Sequence, residues 1–180
     1  MATRAKLSAD QTSLFGSVFE SVGVESTADD STGTVVQSRK SLQVLMYCDG
    51  GSRGNPGPSA IGAVVYDATS DDELILAEVS ECIGVATNNV AEYKAMLAGL
   101  DAALALGATT ITVRADSKLL IEQLKGNYKV KHPNLQPLHA DAAKKVKRFD
   151  RVTLEHVRRE YNTVADALAN RALDAQERRH

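Results

Sequence analysis

Short apolar runs dominate the chain from residue 42 onward. They occupy residues 42–48, 60–67 and 74–84, and turn-forming residues separate them. The first turn is rich in Gly, Asn and Pro, and the second is the acidic segment 70–72. Apolar runs of this length between such turns are typical of β-strands. We therefore predict three consecutive strands, joined by short connections as an antiparallel meander.

Beyond residue 87 the apolar spacing lengthens to that of a helix. The positions that repeat at intervals of three and four are Tyr93, Met96, Leu97, Leu100 and Leu104. Asn88 or Asn89 can cap this helix at its start, and Gly107 can close it. A short β-branched strand over residues 111–115 follows and ends at Asp116.

The last third of the chain continues this alternation of helices and strands. Ser117 can cap a helix that runs to Leu124, and the pattern then predicts a helix over 135–146, a strand over 152–157 and a helix over 163–175. A helix that connects two strands of one sheet places them parallel. The predicted fold is therefore α/β: a five-stranded mixed sheet, with three antiparallel strands and then parallel crossover strands, and helices on both faces.

Length and composition are those of one globular domain with extensions. The chain has 180 residues, of which 43% are hydrophobic and 24% charged. Residues 1–40 show no sustained period, so we expect an N-terminal extension that is disordered or loosely attached. One domain over residues 41–176 and a tail over 177–180 complete the predicted organisation.

Membrane and secretory signals are missing from the sequence pattern. No apolar run approaches the roughly 20 residues that cross a bilayer, and the first 20 residues lack a signal-type apolar core. We therefore expect a cytoplasmic protein that makes no membrane contact. Nothing in the sequence indicates an obligate dimer, so we also expect a monomer. Cys48 and Cys82 lie within apolar runs without metal-type spacing, so we predict small buried thiols.

The net charge of −2 is not that of a generic nucleic-acid binder, which is usually basic. Any contact with nucleic acid must therefore come from local basic patches. One patch surrounds Tyr128, and its basic members are Lys125, Lys129, Lys131 and His132. A second, over residues 144–151, is interpreted as a solvated helix face, and a third is Arg158 with Arg159.

Four acids lie where the predicted elements can bring them together: Asp49, Glu92, Asp116 and Asp166. If the strands that carry Asp49 and Asp116 are neighbours, these side chains are about one strand spacing of ~4.8 Å apart. Glu92 and Asp166 are each expected in the first turn of a helix. Each acid also has a structural explanation by itself: a turn cap for Asp49, a helix cap or strand end for Asp116, and the helix dipole for the other two.

Four converging carboxylates are harder to explain in that way, because like charges at close range repel one another. Divalent cations relieve this repulsion, and hard oxygen ligands favour Mg²⁺ or Mn²⁺ over zinc. Two such ions about 3.5–4 Å apart can promote phosphodiester cleavage. The acids therefore indicate a metal-dependent phosphodiesterase.

Four blocks of sequence also carry a resemblance to a known family. They are Tyr-Cys-Asp-Gly-Gly-Ser with Gly-Asn-Pro-Gly over 47–57, Thr-Asn-Asn-Val-Ala-Glu-Tyr over 87–93, Ala-Asp-Ser over 115–117, and Asn-Thr-Val-Ala-Asp-Ala-Leu-Ala over 162–169. In their order and spacing across residues 42–175, the chain resembles type 1 ribonuclease H. The resemblance implies a ribonuclease H-like fold and an endoribonuclease that cuts the RNA strand of RNA–DNA hybrids by a two-metal-ion mechanism.

The resemblance also implies roles for individual residues. Asp49 bridges two Mg²⁺ or Mn²⁺ ions, Asp166 helps to hold the ion that carries the attacking water, and Glu92 with Asp116 holds the second. The positions matching the family's substrate groove are Gly50, Asn55, Thr87, Asn88 and Asn89. Short amides, hydroxyls and backbone donors can reach phosphates and 2′-hydroxyls, although Asn88 and Asn89 can also be only helix caps.

The chain departs from the family pattern in two places. Some members carry a longer basic helix and loop, whereas this chain has only the link 126–133; we predict that its Tyr128, Lys129 and Lys131 touch the substrate backbone. Well-studied members also carry a loop histidine before the last acid. The corresponding segment 156–162 is shorter here, with His156 in the strand pattern, so Arg159 or Glu160 are the candidates to replace that histidine.

Two alternatives to this enzyme remain open at the level of sequence. One is a catalytically silent nucleic-acid-binding module of the same fold. The other is a nuclease with a different substrate preference, since a fold alone does not determine the substrate.

Overall fold

The computed structural model describes residues 41–70 and 74–178, which contain a single five-stranded sheet. The strands are β1 (Leu42–Ser52), β2 (Gly57–Asp67), β3 (Ile75–Ala86), β4 (Ala108–Ala115) and β5 (Arg151–His156). Their order across the sheet is β3-β2-β1-β4-β5. β1, β2 and β3 pair antiparallel, whereas β4 pairs parallel with both β1 and β5. The predicted mixed sheet is therefore confirmed.

Four α-helices connect and cover the strands. They are α1 (Asn88–Ala105), α2 (Lys118–Leu124), α3 (Gln136–Val146) and α4 (Thr163–Glu177), and a 3₁₀ turn, Arg159–Tyr161, precedes α4. Ser117 caps α2 as predicted. The prediction that Asn88 or Asn89 caps α1 is wrong, because Thr87 is the cap and its Oγ1 accepts a hydrogen bond from the Val90 N–H.

The first strand extends further than its apolar run. It continues through Asp49 to Ser52, because these residues keep pairing with β2, with Asp49 opposite Gly62 and Ser52 opposite Ser59. Asp49 is therefore a strand residue at the centre of the sheet. Its alternative interpretation as a turn cap does not hold.

Glycines let two helices approach the sheet closely from opposite faces. A Cβ at Gly50 would lie 2.1 Å from the Ala91 carbonyl carbon in α1, and a Cβ at Gly62 would lie 2.1 Å from the Ala165 carbonyl oxygen in α4. Neighbouring strand residues point to opposite faces, and Gly62 pairs with Asp49 rather than with Gly50. The helices therefore lie on both faces, as predicted, with α1 and α4 each near the level of Asp49.

The main core lies between the sheet and α1. It includes the buried side chains of Val44, Met46 and Cys48 from β1 and of Tyr93 and Met96 from α1. The two cysteines are free thiols; Cys48 is fully buried, and the half-buried Cys82 donates its S–H to the Ala172 carbonyl.

Some expectations concern residues outside the described ranges. The N-terminal extension over residues 1–40, the acidic turn at residues 71 and 72, and the last two residues of the tail lie there. The domain boundaries therefore stay predictions, as do the monomeric state and the cytoplasmic location. None of the helices in the described ranges combines the length and the apolar character of a transmembrane span.

The contact between Gly62 and α4 predicts the effect of one added methyl group. Gly62→Ala should lower the free energy of unfolding by about 1–3 kcal/mol, because the methyl group meets the helix backbone rather than a movable side chain. Gly51→Ala is the matched control, since a Cβ at Gly51 has nothing within 4 Å. Urea denaturation of both variants measures the difference, and equal stabilities would contradict the close packing of α4.

Candidate active site

Three carboxylates from three different elements meet at one end of the central strands. Asp49 lies in β1, Asp116 directly follows β4, and Glu92 lies in α1. β1 and β4 are parallel neighbours in which Cys48 pairs with Ala115, so the acid that follows each residue reaches the same level. Carboxylate oxygens of the three acids all lie within 4.8 Å of one another.

Burial makes this crowding costly. Asp49 is 8% exposed and Glu92 is 6% exposed. Burial, together with the charges of Asp116 and Asp166, raises the pKa of Asp49 to about 6. Burial and the charges of Asp49 and Asp116 raise the pKa of Glu92 to about 9, while the backbone N–H of Gly50 acts in the opposite direction on both acids. Each acid thus resists ionisation because of its neighbours as well as its burial.

The helix dipole does not explain the position of Glu92. It lies beyond the first turn of α1, contrary to the sequence-based expectation, so the helix dipole has little effect on it. Its Oε2 is buried and accepts no hydrogen bond from any described residue. A buried, unpartnered carboxylate oxygen facing two other carboxylates fits a divalent cation, which prefers such hard oxygen ligands.

Asp166, the fourth predicted acid, lies beside this group rather than within it. It is in the first turn of α4, as predicted, and close enough to Asp49 to raise the pKa of that acid. Its Oδ1 forms an ion pair with Arg159 Nη2 at 2.5 Å, and its Oδ2 accepts a hydrogen bond from Asn170 Nδ2 at 2.9 Å. Asp166 therefore already has partners on both carboxylate oxygens.

The first group of predicted substrate residues lies where the β1–β2 loop meets the start of α1. Asn55 Oδ1 accepts a hydrogen bond from the Asn88 backbone N–H at 3.2 Å, which ties the loop to the helix. Asn88 and Asn89 are exposed, Thr87 is half-buried, and Gly50 is buried against α1. The two asparagines and Asn55 therefore present polar groups to solvent, whereas Gly50 contributes close packing and a backbone N–H.

The second predicted group lies on the link between α2 and α3. Tyr128, Lys129 and Lys131 are all exposed. Gln123 anchors the link, because its buried side chain accepts a hydrogen bond from the Tyr93 hydroxyl of α1 at 2.8 Å and donates one to the Lys129 carbonyl. The link is thus held against the helix that carries Glu92.

Two further residues near the acids were not given roles by the sequence. Asn162 belongs to the last matching block, but a polar residue before a helix indicates only a cap; its side chain instead contacts Asp116. His156 Nε2 lies 3.2 Å from the Asp116 carbonyl oxygen, at the end of β5. Of the two candidates to replace the loop histidine, Arg159 contacts Asp166 and Glu160 pairs with Arg158 at 3.7 Å.

The raised pKa values predict how stability depends on pH without metal. Glu92 ordinarily has a pKa of 4.5, and its folded-state pKa is about 9. The carboxyl group of Glu92 therefore binds its proton more tightly in the folded state than in the unfolded state. Its contribution to the free energy of unfolding is fully present below pH 4.5 and is lost as pH rises toward 9. Glu92→Gln should therefore be more stable than the parent chain at pH 8 in EDTA, by about 1–3 kcal/mol, and less dependent on pH.

Urea denaturation between pH 5 and 9 checks this expectation. The matched control is Glu81→Gln, an exposed position on the edge strand β3, which should follow the parent chain. If the parent chain gains stability relative to Glu92→Gln as pH rises in EDTA, the crowding of the acids is not the dominant effect.

Comparisons with known proteins match the described domain. A family model described as reverse transcriptase-like matches residues 47–172. Ribonuclease HI of Halobacterium salinarum is 45% identical over 140 residues, which cover 78% of this chain and 69% of that protein. The bifunctional protein Rv2228c of Mycobacterium tuberculosis is 52% identical over 134 residues, or 74% of this chain but only 36% of that protein. The chain thus spans about a third of the length of this relative.

A solved structure agrees with the fold. LC11-RNase H1 in complex with an RNA/DNA hybrid is 38% identical, with a TM-score of 0.69, over 74% of this chain and 98% of that one. The sheet order, the crowded acids and the identity to ribonuclease HI point to one conclusion. The chain belongs to the type 1 ribonuclease H family.

Proposed function

We propose that this protein is an endoribonuclease that hydrolyses the RNA strand of RNA–DNA hybrids with divalent metal ions. The observation that carries the proposal is the group of three carboxylates within 4.8 Å of one another, in a chain of this family. Structural roles do not account for such a group, because burial and mutual repulsion oppose it.

The four acids are proposed as the metal ligands. Asp49, Glu92 and Asp116 offer oxygens that already converge, and Asp166 completes the set from the start of α4. Bound divalent cations would activate water and stabilise the leaving oxygen of the phosphodiester. Asp49 and Glu92 bind a cation as carboxylates, so their raised pKa values mean that protons are released when the metal binds. Mg²⁺ and Mn²⁺ are the proposed ions.

Substrate recognition is assigned to the two exposed groups near the acids. Asn55, Asn88 and Asn89 can donate to and accept from sugar hydroxyls and phosphates, and the 2′-hydroxyl distinguishes RNA from DNA. Tyr128 can contact the sugar-phosphate backbone of the hybrid with its ring and hydroxyl, and Lys129 and Lys131 can bind its phosphates through their positive charges. A similar protein, LC11-RNase H1, has been crystallised in complex with an RNA/DNA hybrid. The proposed state of the protein is a monomer, and its proposed location is the cytoplasm.

The central test removes one charge from the middle of the acids. Asp49→Asn should abolish cleavage of a labelled RNA–DNA hybrid with Mg²⁺ or Mn²⁺, because the amide cannot replace a carboxylate that binds metal. The fold and hybrid binding should remain. Asp150→Asn, at an exposed position before β5, is the control and should retain the parent activity.

The same assay separates the proposal from its alternatives. Parent-level activity in Asp49→Asn would exclude the metal mechanism, and a parent chain that binds hybrid but never cleaves it would indicate a silent binding module. Duplex DNA cut as well as hybrid would contradict the substrate assignment.

The exposed link between α2 and α3 provides a separate prediction about affinity. Replacing both Lys129 and Lys131 with Ala should raise KM for the hybrid with little change in kcat. It should also lower the slope of log affinity against log salt by about 1 for each phosphate that the variant no longer neutralises. Lys144→Ala, at an exposed position on α3, is the control. Unchanged KM and salt dependence in the double variant would place the link outside the substrate interface.

A further inference from the structure

We propose that Asn162 is a positioning residue that fixes the relative placement of the metal-binding acids. Its side-chain Nδ2 donates to the Cys48 carbonyl oxygen at 3.0 Å and to Asp116 Oδ1 at 3.0 Å. One amide group therefore joins the backbone directly before Asp49 to the side chain of Asp116. This inference rests on the proposed function, since it concerns the acids assigned to the metal.

The orientation of the amide follows from its partners. Both contacted atoms are acceptors, so only the NH₂ group can face them, and its two hydrogens serve the two bonds. The amide oxygen of Asn162 is left buried and accepts no hydrogen bond from any described residue. A buried, unsatisfied acceptor costs about 1–3 kcal/mol, so this site retains the amide despite a local cost.

The side chain of Asn162 does not cap α4, although its position suggests that role. Asn162 is the residue before α4, and asparagine at that position commonly bonds a backbone N–H of the first turn, which stabilises the helix by about 1 kcal/mol. Here Asn162 makes no side-chain cap hydrogen bond. Its amide is directed to Asp116 and the Cys48 carbonyl instead.

The backbone of Asn162 extends the link to the fourth acid. Its carbonyl oxygen accepts the N–H of Asp166 at 3.1 Å, in the first turn of α4. Asn162 is 1% exposed, so packing holds both ends of this link in place. One residue thus connects β1 beside Asp49, the carboxylate of Asp116 and the helix that carries Asp166.

The hydrogen bond to Asp116 also has a chemical consequence. It binds Oδ1 with a neutral donor and limits rotation of the carboxylate, so the Asp116 side chain would be held in one orientation for a metal ion. Loss of a residue that orients a metal ligand typically lowers metal affinity or activity 10–100-fold. Asn162 would act through Asp116 without touching the substrate.

Asn162→Ser provides a test that separates positioning from folding. Serine is a good helix cap but is too short to reach both acceptors, so the variant can cap the start of α4 while the link to Asp116 is lost. We expect kcat for hybrid cleavage to fall 10–100-fold with KM within threefold of the parent value. The Mn²⁺ concentration that gives half of the full Mn²⁺-induced rise in Tm should increase several-fold.

Asn162→Asp is the second variant, because it keeps the shape of the side chain and removes both donor hydrogens. It should lose at least as much kcat as Asn162→Ser, since it adds a negative charge against Asp116. Asn134→Ser, at an exposed position before α3, is the matched control and should leave kcat and the Mn²⁺ response unchanged.

The outcomes distinguish this inference from the proposed function. If the parent chain cleaves hybrid and both Asn162 variants retain its kcat and Mn²⁺ response, the positioning role is wrong while the enzyme assignment stands. Activity that falls only in proportion to the unfolded fraction, measured by circular dichroism, also overturns the positioning role. A parent chain that never cleaves hybrid contradicts the proposed function, and the Mn²⁺-induced rise in Tm then still reports on the link between Asn162 and Asp116.

Discussion

Repulsion between buried carboxylates is the constraint on which the structure around the site depends. Asp49 and Glu92 are almost completely buried, and each has a raised pKa because burial and its acidic neighbours both oppose ionisation. A protein selected only for stability would replace at least one of these acids with an apolar residue. Their presence together, with an unpartnered Glu92 oxygen, is understandable if a cation neutralises them in the working protein. With the proposed function, the site thus has lower stability without metal, and the same acids would carry out metal-dependent chemistry.

The fold accommodates the crowded acids because glycines in the strands let two helices pack very close to the sheet. Gly50 brings the backbone of α1 onto β1, and Gly62 brings α4 onto β2 on the other face. Parallel pairing of β1 with β4 places Asp49 and Asp116 at the same level. Asp49 lies in β1 and Glu92 in α1, and Asp116 is the residue directly after β4. Ligands on strands and helices are held more precisely than ligands on loops. The polar side chain of Asn162 then connects β1 beside Asp49 with the side chain of Asp116.

The proposed substrate contacts and the proposed catalytic acids belong to different parts of the molecule. The exposed asparagines near α1 and the link between α2 and α3 carry polar and basic groups at the surface, while Asp49 and Glu92 are buried. Gln123 connects the link to Tyr93, which directly follows Glu92 in α1. The link and the acids therefore both involve α1, but through different side chains. For the proposed substrate, this local basic patch would supply the attraction that the net charge of −2 does not, since attraction depends on the surface near the bound polyanion and not on the total charge.

The sequence by itself determined the alternation of elements and the mixed sheet, and it singled out Asp49, Glu92 and Asp116, because apolar periodicity and ordered motifs are local properties that a single chain displays. It did not determine where β1 ends, since pairing with β2 carries the strand through Asp49 and the glycines that local rules assign to a turn. It also placed the cap of α1 one or two residues late, because three consecutive polar residues offer similar caps and only the packed helix selects Thr87. Only the tertiary structure decided that three acids converge while Asp166 binds Arg159 and Asn170, and that Asn162 serves Asp116 instead of capping α4. These last features join residues far apart in the chain, such as the 46 positions between Asp116 and Asn162, and long-range geometry of that kind leaves no periodic signal in a sequence.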